Sequence, residues 1–374
     1  MRKKNYLRSG LVLLLSVFIF NITFAQQQLN TITTAVPFLM ISPDARAGGM
    51  GEVGAATIPD ANAIQWNPAK LAFINKNMGL SLSYSPWMHS LVPDVNLAYL
   101  SVYKKIGKQT LALSAKYFDL GNITFTSNSG AITGKYNPHE FAIDIAYAKQ
   151  LSDHFSGSIA FRYIYSNLYG GMQIGGISSK LGQSIAEDFS CYYQNKFSDN
   201  LSYALGGNIS NIGSKITYTD SAETNFIPTN LKIGTSVKKN FNKNHSLAVA
   251  LDLNKLLVPT PGSNTNVTTP FGMIQSFYDA PGGFKEELQE INYSAGIEYL
   301  AFHTLALRTG YFYENRYKGD RQFITLGTGI NYKFLTFDFS YYLATNGSSP
   351  LDKTMKFSLA CNIDKLFSKK EKSA

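Results

Sequence analysis

Five histidines, a set of charges spaced at alternate positions and two loops rich in Met and aromatic residues are the side chains here that could do chemistry. A hydrolytic site needs a base within reach of a nucleophile and an orienting carboxylate. Only His89 and His139 reach the outer end, and Ser85, Ser90 and Asp94 are candidates around His89; nearness along the chain is not geometry, so no catalytic site is expected. His154, His245 and His303 fall in short polar turns, where a solvated role is expected. No HxxxH, CxxC, Walker loop or GxSxG stands in a context that could work, so neither a metal nor a cofactor is expected. The piece GGMGEVG has the glycines of a dinucleotide loop but lacks the buried strand that must precede one.

The charges read as scaffolding. Lys116, Asp144, Arg162, Asp252, Glu298 and Arg308 alternate with apolar residues, so all should point to one side of their strands. They are expected to hold an internal plug by salt bridges and hydrogen bonds, with Asp44 and Arg46 as mates. The loops are the more informative oddity. SPWMHSLVP carries Trp87, Met88 and Leu91, and PFGMIQSFYDAPGGF carries Phe271, Met273, Ile274, Phe277, Tyr278 and Phe284. Exposed loops are normally polar, so these residues either form a docking surface or fold down onto the body beneath.

The elements that must position them begin after a leader. Arg2, Lys3, Lys4 and Arg8 precede an apolar run from Leu11 to Phe20, and Thr23 and Ala25 fit a cleavage site before Gln26. The run is too short to span a bilayer, which takes ~20 residues, and no cysteine follows the cut to carry a lipid. Export is therefore expected, and the formal charge falls from +9 to +5. That surplus, with Lys365, Lys369, Lys370 and Lys372 in the tail, reads as a solvated end near anionic surfaces, not a nucleic-acid patch. Cys191 and Cys361 lie in separate apolar strands and read as small core residues.

From Val36 to Phe73 the chain is rich in Ala and Gly and carries three helix-start signals: Ser42-Pro43, Asp60-Ala61 and Asn67-Pro68. Gly48, Gly49, Gly51 and Gly54 would be poor in a long surface helix and suit backbone that bends or passes close to a wall. The segment reads as a folded plug. Beyond Met78 the period is 2, and segments of ~9–12 residues, the length of a tilted membrane strand, start near Met78, Asp94, Gln109, Glu140, Phe155, Ile185, Asn200, Asn230, His245, Glu290, His303, Arg321, Leu335 and Thr354. One face is Leu, Ile, Val, Phe or Tyr, and the other is small or polar.

Aromatics are 13% of residues and charged residues only 16%, well under the ~25% of soluble domains. The expected fold is all-β and transmembrane: a 14-stranded antiparallel outer-membrane β-barrel with a short N-terminal helical plug. Connections alternate short (KKIGK, KQLSDH, QNKFSDN, KKNFNKN, LAFH, YKF) and long (121–138, 167–184, 211–229 and, longest, 255–289), as such barrels require. Long loops are expected outside and both termini in the periplasm. The interruption Asp119-Leu120-Gly121-Asn122 is either a strand end or a kink that opens the wall. The divisions are leader 1–25, N-terminal segment and plug 26–75, barrel 76–363 and basic tail 364–374.

PDARAGGMGEVGAAT followed by NAIQWNPAKLAF, with Trp66 and the turn Asn67-Pro68-Ala69, resembles the N-terminal hatch of FadL-like outer-membrane barrels. TITTAVPFLMISPDARAGGMGEVG, IPTNLKIG (Ile227–Gly234) and LDLNKLLVPTP (Leu251–Pro261) resemble the PorV family of the type IX secretion system, across essentially the whole mature chain. The resemblance implies a non-enzymatic shuttle. It would bind the C-terminal domains of secreted cargo at the translocon barrel protein and pass them to a surface sortase complex, beside outer-membrane lipid or lipopolysaccharide. The wider family implies a transporter of hydrophobic molecules instead, through the lumen and a gap near Gly121. A lipopolysaccharide deacylase is the third reading, and would need His89 or His139.

Overall fold

The computed structural model describes residues 29–127, 129–171, 173–174, 177–219, 224–346 and 349–364. The leader and all but the first residue of the basic tail lie outside the described residues. Fourteen antiparallel strands close into a barrel. They are β1 Met78–Pro86, β2 Asn96–Ile106, β3 Gln109–Asp119, β4 His139–Gln150, β5 Phe155–Asn167, β6 Gly182–Ser198, β7 Leu201–Gly213, β8 Asn230–Asn240, β9 His245–Leu256, β10 Ile291–Ala301, β11 Leu305–Tyr313, β12 Gln322–Tyr332, β13 Leu335–Ala344 and β14 Met355–Asn362. Each strand pairs with the next, and β1 pairs with β14 from Gly79↔Asn362 to Tyr84↔Phe357. Closure gives every strand two hydrogen-bonded neighbours, which a backbone in hydrocarbon demands.

Alternation decides which face sees what. On β3, Thr110, Ala112, Ser114, Lys116 and Phe118 are buried inside while Leu111, Leu113 and Tyr117 are exposed outside. On β4, Glu140, Ala142, Asp144 and Ala146 point in while Ile143, Ile145 and Tyr147 point out. A wall that is apolar outside and polar inside is built for lipid. One end of the barrel carries short turns, such as 107–108, 199–200 and 333–334, and the other carries the long connections. Two of these fold into small hairpins, Ile123–Thr126 with Ile132–Tyr136 and Gln173–Ile174 with Ile177–Ser178. The Asp119–Asn122 interruption is a strand end. The β2–β3 register runs unbroken to Asn96↔Asp119, and Gly121 then turns at φ +79°, a conformation L side chains rarely adopt.

The plug fills the lumen. It comprises a 3-10 turn (Pro37–Met40), α1 (Ala45–Gly48), α2 (Ala63–Trp66) and a 3-10 turn (Pro68–Phe73). Its glycines lie where backbone meets backbone. A Cβ on Gly49 would sit 2.9 Å from the Cα of Gly327 on β12, and one on Gly310 of β11 would sit 2.1 Å from the nitrogen of Gly51. Both sides of the contact must lack side chains for the plug to lie this close.

Several expectations need correction. The cap of α1 is Asp44, not Ser42: its carboxylate accepts the Ala47 N–H at 2.9 Å, while the Ser42 carbonyl accepts from Lys356. Asp60 sits one turn ahead of α2, whose N-cap residue is Asn62, whereas Asn67 caps its 3-10 turn as expected. Cys191 is exposed on the outer wall of β6 and not in a core, and both cysteines are free. The first described residues and the end of β14 do not share an end of the barrel. The N–H of Asn30 donates to the carbonyl of Tyr317, in the long connection before β12, and that of Ala35 to Phe226, before β8. Residues 29–36 therefore lie among the long loops, and the plug descends from there to the short-turn end where β1 starts. Strand counting constrains only where β1 begins and β14 ends, and a lumen this wide lets the segment before β1 run back through it.

Candidate functional site

Each charge expected inside is inside, and most touch the plug. Lys116 donates to the carbonyls of Leu39 and Ile41, both at 3.1 Å. Asp252 accepts the N–H groups of Gly54 at 2.7 Å and Ala55 at 2.9 Å, with Lys232 Nζ at 3.7 Å. Glu298 receives the Arg46 guanidinium at 3.0 and 3.1 Å and Arg308 Nε at 2.7 Å, and Arg308 continues to Asp338 at 2.7 Å. Arg46 also meets Asp60 at 2.7 Å. Asp144 and Asp188 flank Arg162, which also donates to Asn211; this trio braces the wall itself.

Asp44 is not a mate of these charges, because its second oxygen accepts Trp66 Nε1 at 2.7 Å, tying α1 to α2. Asn67 donates to the carbonyls of Ala55 and Cys191, each at 2.9 Å, so the Asn-Pro turn that Pro68 continues is pinned to both plug and wall. Buried ions are costly unless each is paired, and each of the wall charges named above answers either a plug group or another wall charge. Sequence reasoning missed Asp188, Lys232, Asp338 and Lys356. All occupy the same alternate positions and were legible by that signal. Lys356 is fully buried, with Nζ 5.0 Å from both the Trp87 and Tyr342 rings.

Between the plug and the long loops lies a polar cavity of about 50 Å³ whose lining includes Trp66, Asn208, Asn230, Lys232, Asn254 and Arg321. The Oδ1 atoms of Asn208 and Asn230 are buried there without a hydrogen-bond partner among the described residues. A wider recess of about 390 Å³ opens above it, with Thr31, Thr33, Glu314 and Lys318 among its walls. The chamber offers amides and cations to whatever enters.

The connection from β9 to β10 is a built platform. It holds two short helices, α3 (Thr269–Gln275) and α4 (Phe284–Gln289). Lys255 binds Glu287 at 3.0 Å and Glu290 at 2.7 Å, and Lys318 binds Glu286 at 2.6 Å and Glu290 at 2.9 Å. Asn30 adds a 2.8 Å bond to Glu286. Burial pushes the Glu286 carboxyl up, but the bonds from Lys318, Asn30 and the Gly282 N–H outweigh it and hold it below the usual range. Gly272 seats α3 against Phe226 and Pro259. Phe271, Ile274, Phe277, Tyr278 and Phe284 remain 51–76% exposed, and Met273 is half-buried. All five stand exposed on this one connection. Leu91 is exposed in the first long loop, but Trp87 is buried and Met88 packs against the interior cluster.

His89 and two of the residues flanking it have separate partners. His89 Nδ1 is 3.2 Å from the Pro93 carbonyl, Ser85 donates to Met355, and Asp94 accepts from Asn122. His139 is stacked between Tyr117 and Tyr165. Among the described residues no group of three His, Cys, Asp or Glu could hold a metal.

Residues 24–263 match the model of a family described as Type IX secretion system protein PorV. The chain belongs to the PorV family. No curated protein sequence matches it. Among solved structures it is similar to the toluene transporter TodX of Pseudomonas putida, at 11% identity over 86% of this chain and 98% of that one, with a TM-score of 0.51. A TodX deltaS2S3 mutant, titled a monoaromatic hydrocarbon channel, gives 12%, 85%, 98% and 0.51. A FadL homologue of Pseudomonas aeruginosa gives 12%, 89%, 99% and 0.44. At such identities the likeness is one of fold, that of the TodX barrel. A PorV-family barrel is an outer-membrane component of type IX secretion, and that is the coarse function of this chain.

Proposed function

We propose that this protein is a non-enzymatic cargo-binding factor of the type IX system. Its long loops face outward, and Phe271, Ile274, Phe277, Tyr278 and Phe284 of the β9–β10 connection bind the C-terminal domain of secreted cargo at the translocon barrel protein. The cargo is then passed to the surface sortase complex. The observation that carries this reading is a set of exposed apolar side chains on one long connection that is fixed by buried ion pairs, beside a lumen filled by its own chain. Preordered aromatic anchors cost little entropy on binding. In this orientation the end of β14 is periplasmic, while residues 29–36 lie toward the outside.

Passage of hydrophobic molecules is the weaker reading, because the plug fills the lumen and the cavity above it is lined by amides and cations. Deacylation is weaker still, since neither His89 nor His139 has a nucleophile and a carboxylate in line. The test is the triple variant Phe271→Ser, Ile274→Ser, Tyr278→Ser in the full chain. Cargo release should fall at least tenfold while the barrel stays inserted and heat-modifiable. Normal release with lost uptake of hydrophobic solutes would favour the transporter reading, and altered lipid acylation in H89A/H139A would favour the enzyme.

A further inference from the structure

Glu187 lies on the wrong side of the wall. It sits on β6 in register with Phe161 of β5, a residue exposed to the outside, and with Ile212 of β7. Its neighbours at the other outward positions of β6 are Ile185 and Phe189, both exposed. Along β6 it stands between Gln183, which accepts from the Tyr163 hydroxyl, and Tyr193, whose ring lies tilted 6.0 Å from that of Tyr203. Other outward charges on the strands, Lys104, Lys149 and Lys239, stand within two residues of the strand ends at Ile106, Gln150 and Asn240, whereas Glu187 stands five residues inside its strand.

The carboxylate has no hydrogen bond or ion pair within the described chain. Gln183 is four residues away, ~13 Å along a strand, which a glutamate side chain is too short to span by reaching for the headgroups. Charged residues within a membrane are costly and are kept where something answers them. The inward acids Asp144, Asp188 and Asp252 all have cations; Glu187 has none of its own. The register shift between Glu187 and Phe189 against β7 also bends the wall at this height, and bulges of this kind re-aim a side chain.

We propose that the outer face of β5–β7 around Glu187 is a docking surface, within the membrane plane, for another membrane-spanning protein that lays a lysine or arginine against this carboxylate. Charge complementarity selects the partner: acyl chains offer no donor, and a cation on a second protein wall offers both charge and hydrogen bonds. The surface is separate from the β9–β10 connection, so the proposal holds or falls independently of cargo binding there.

The experiment places the photo-crosslinker benzoylphenylalanine at Phe189 in the full chain, in its own outer membrane, with the same probe at Phe337 on the far wall as control. The expected result is one discrete protein adduct at 189, whose cross-linked segment spans the membrane and contains a lysine or arginine. Its yield should fall at least tenfold in E187L and return when E187K is combined with a reversed charge in that segment. Heat-modifiability shows that each variant is folded. Adducts to lipid alone, a protein adduct lacking a cation, or a yield unchanged in E187L would each overturn the proposal.

Discussion

Replacing Arg46 with Met should loosen the plug without unfolding the barrel. Arg46 holds Glu298 through two nitrogens at 3.0 and 3.1 Å, Asp60 at 2.7 Å and the Ile58 carbonyl at 2.9 Å. Removing one member of a buried ion pair costs ~3–5 kcal/mol. Asp60 is 31% exposed and Glu298 keeps Arg308, so the low end applies. About 3 kcal/mol, at ~1.4 kcal/mol per decade, is roughly a hundredfold rise in plug opening. Amide hydrogen exchange in nanodiscs reads this directly, because local openings exchange amides while the strands stay protected. The N–H groups of Gly48, Gly49 and Glu52, bonded to Asp44, Ala45 and Ala47, should exchange about a hundred times faster in R46M. R46K, which keeps the charge but not the fork, should fall between. Exchange within threefold of wild type, or equal loss of protection across β10–β12, would refute the reasoning.

Other variants test neighbouring contacts. Gly310→Ala places a methyl 2.1 Å from Gly51 N and should cost ~1–3 kcal/mol by overpacking, seen as a lower heat-modification midpoint. Lys116→Met leaves the carbonyls of Leu39 and Ile41 unmatched, at ~1–3 kcal/mol for each buried acceptor, and should speed proteolysis between residues 37 and 44. The platform should respond to acid. Because the native pKa of Glu286 is lowered from 4.5, its contribution is complete above about 4.5 and is lost as pH falls through the lower native value. Pepsin should therefore cut 257–290 only in that acid range, and Glu286→Gln should remove the dependence.

The barrel was legible because two independent patterns agree: alternation within strands and alternation of short and long connections. β1, β3, β5, β8, β9 and β13 begin at the expected residues, and the other strands within one to three. The plug was legible as a compact Gly-rich segment because its glycines answer a wall only ångströms away. Its wiring was harder to read. Asp44 looked like a mate for lumen charges, but the nearest donor to a residue depends on how two short helices cross, and Trp66 takes that place. Trp87 and Phe271 carry the same signature in sequence, an apolar side chain in a loop. One is drawn down over Lys356 and the other is held up by a platform whose ion pairs join residues about 30 apart or more.

The seam where the cylinder closes has a consequence for how the protein is made. β14, last to be synthesised, supplies Lys356 to the carbonyl of Ser42, and the Ser358 hydroxyl both to the Ala45 N–H and to Ser83 of β1. The chain's first-made folded piece is thus gripped by its final strand at the join itself. Closing the ring and seating the stopper become one step, so a nascent barrel whose leading segment has strayed cannot finish its own seam.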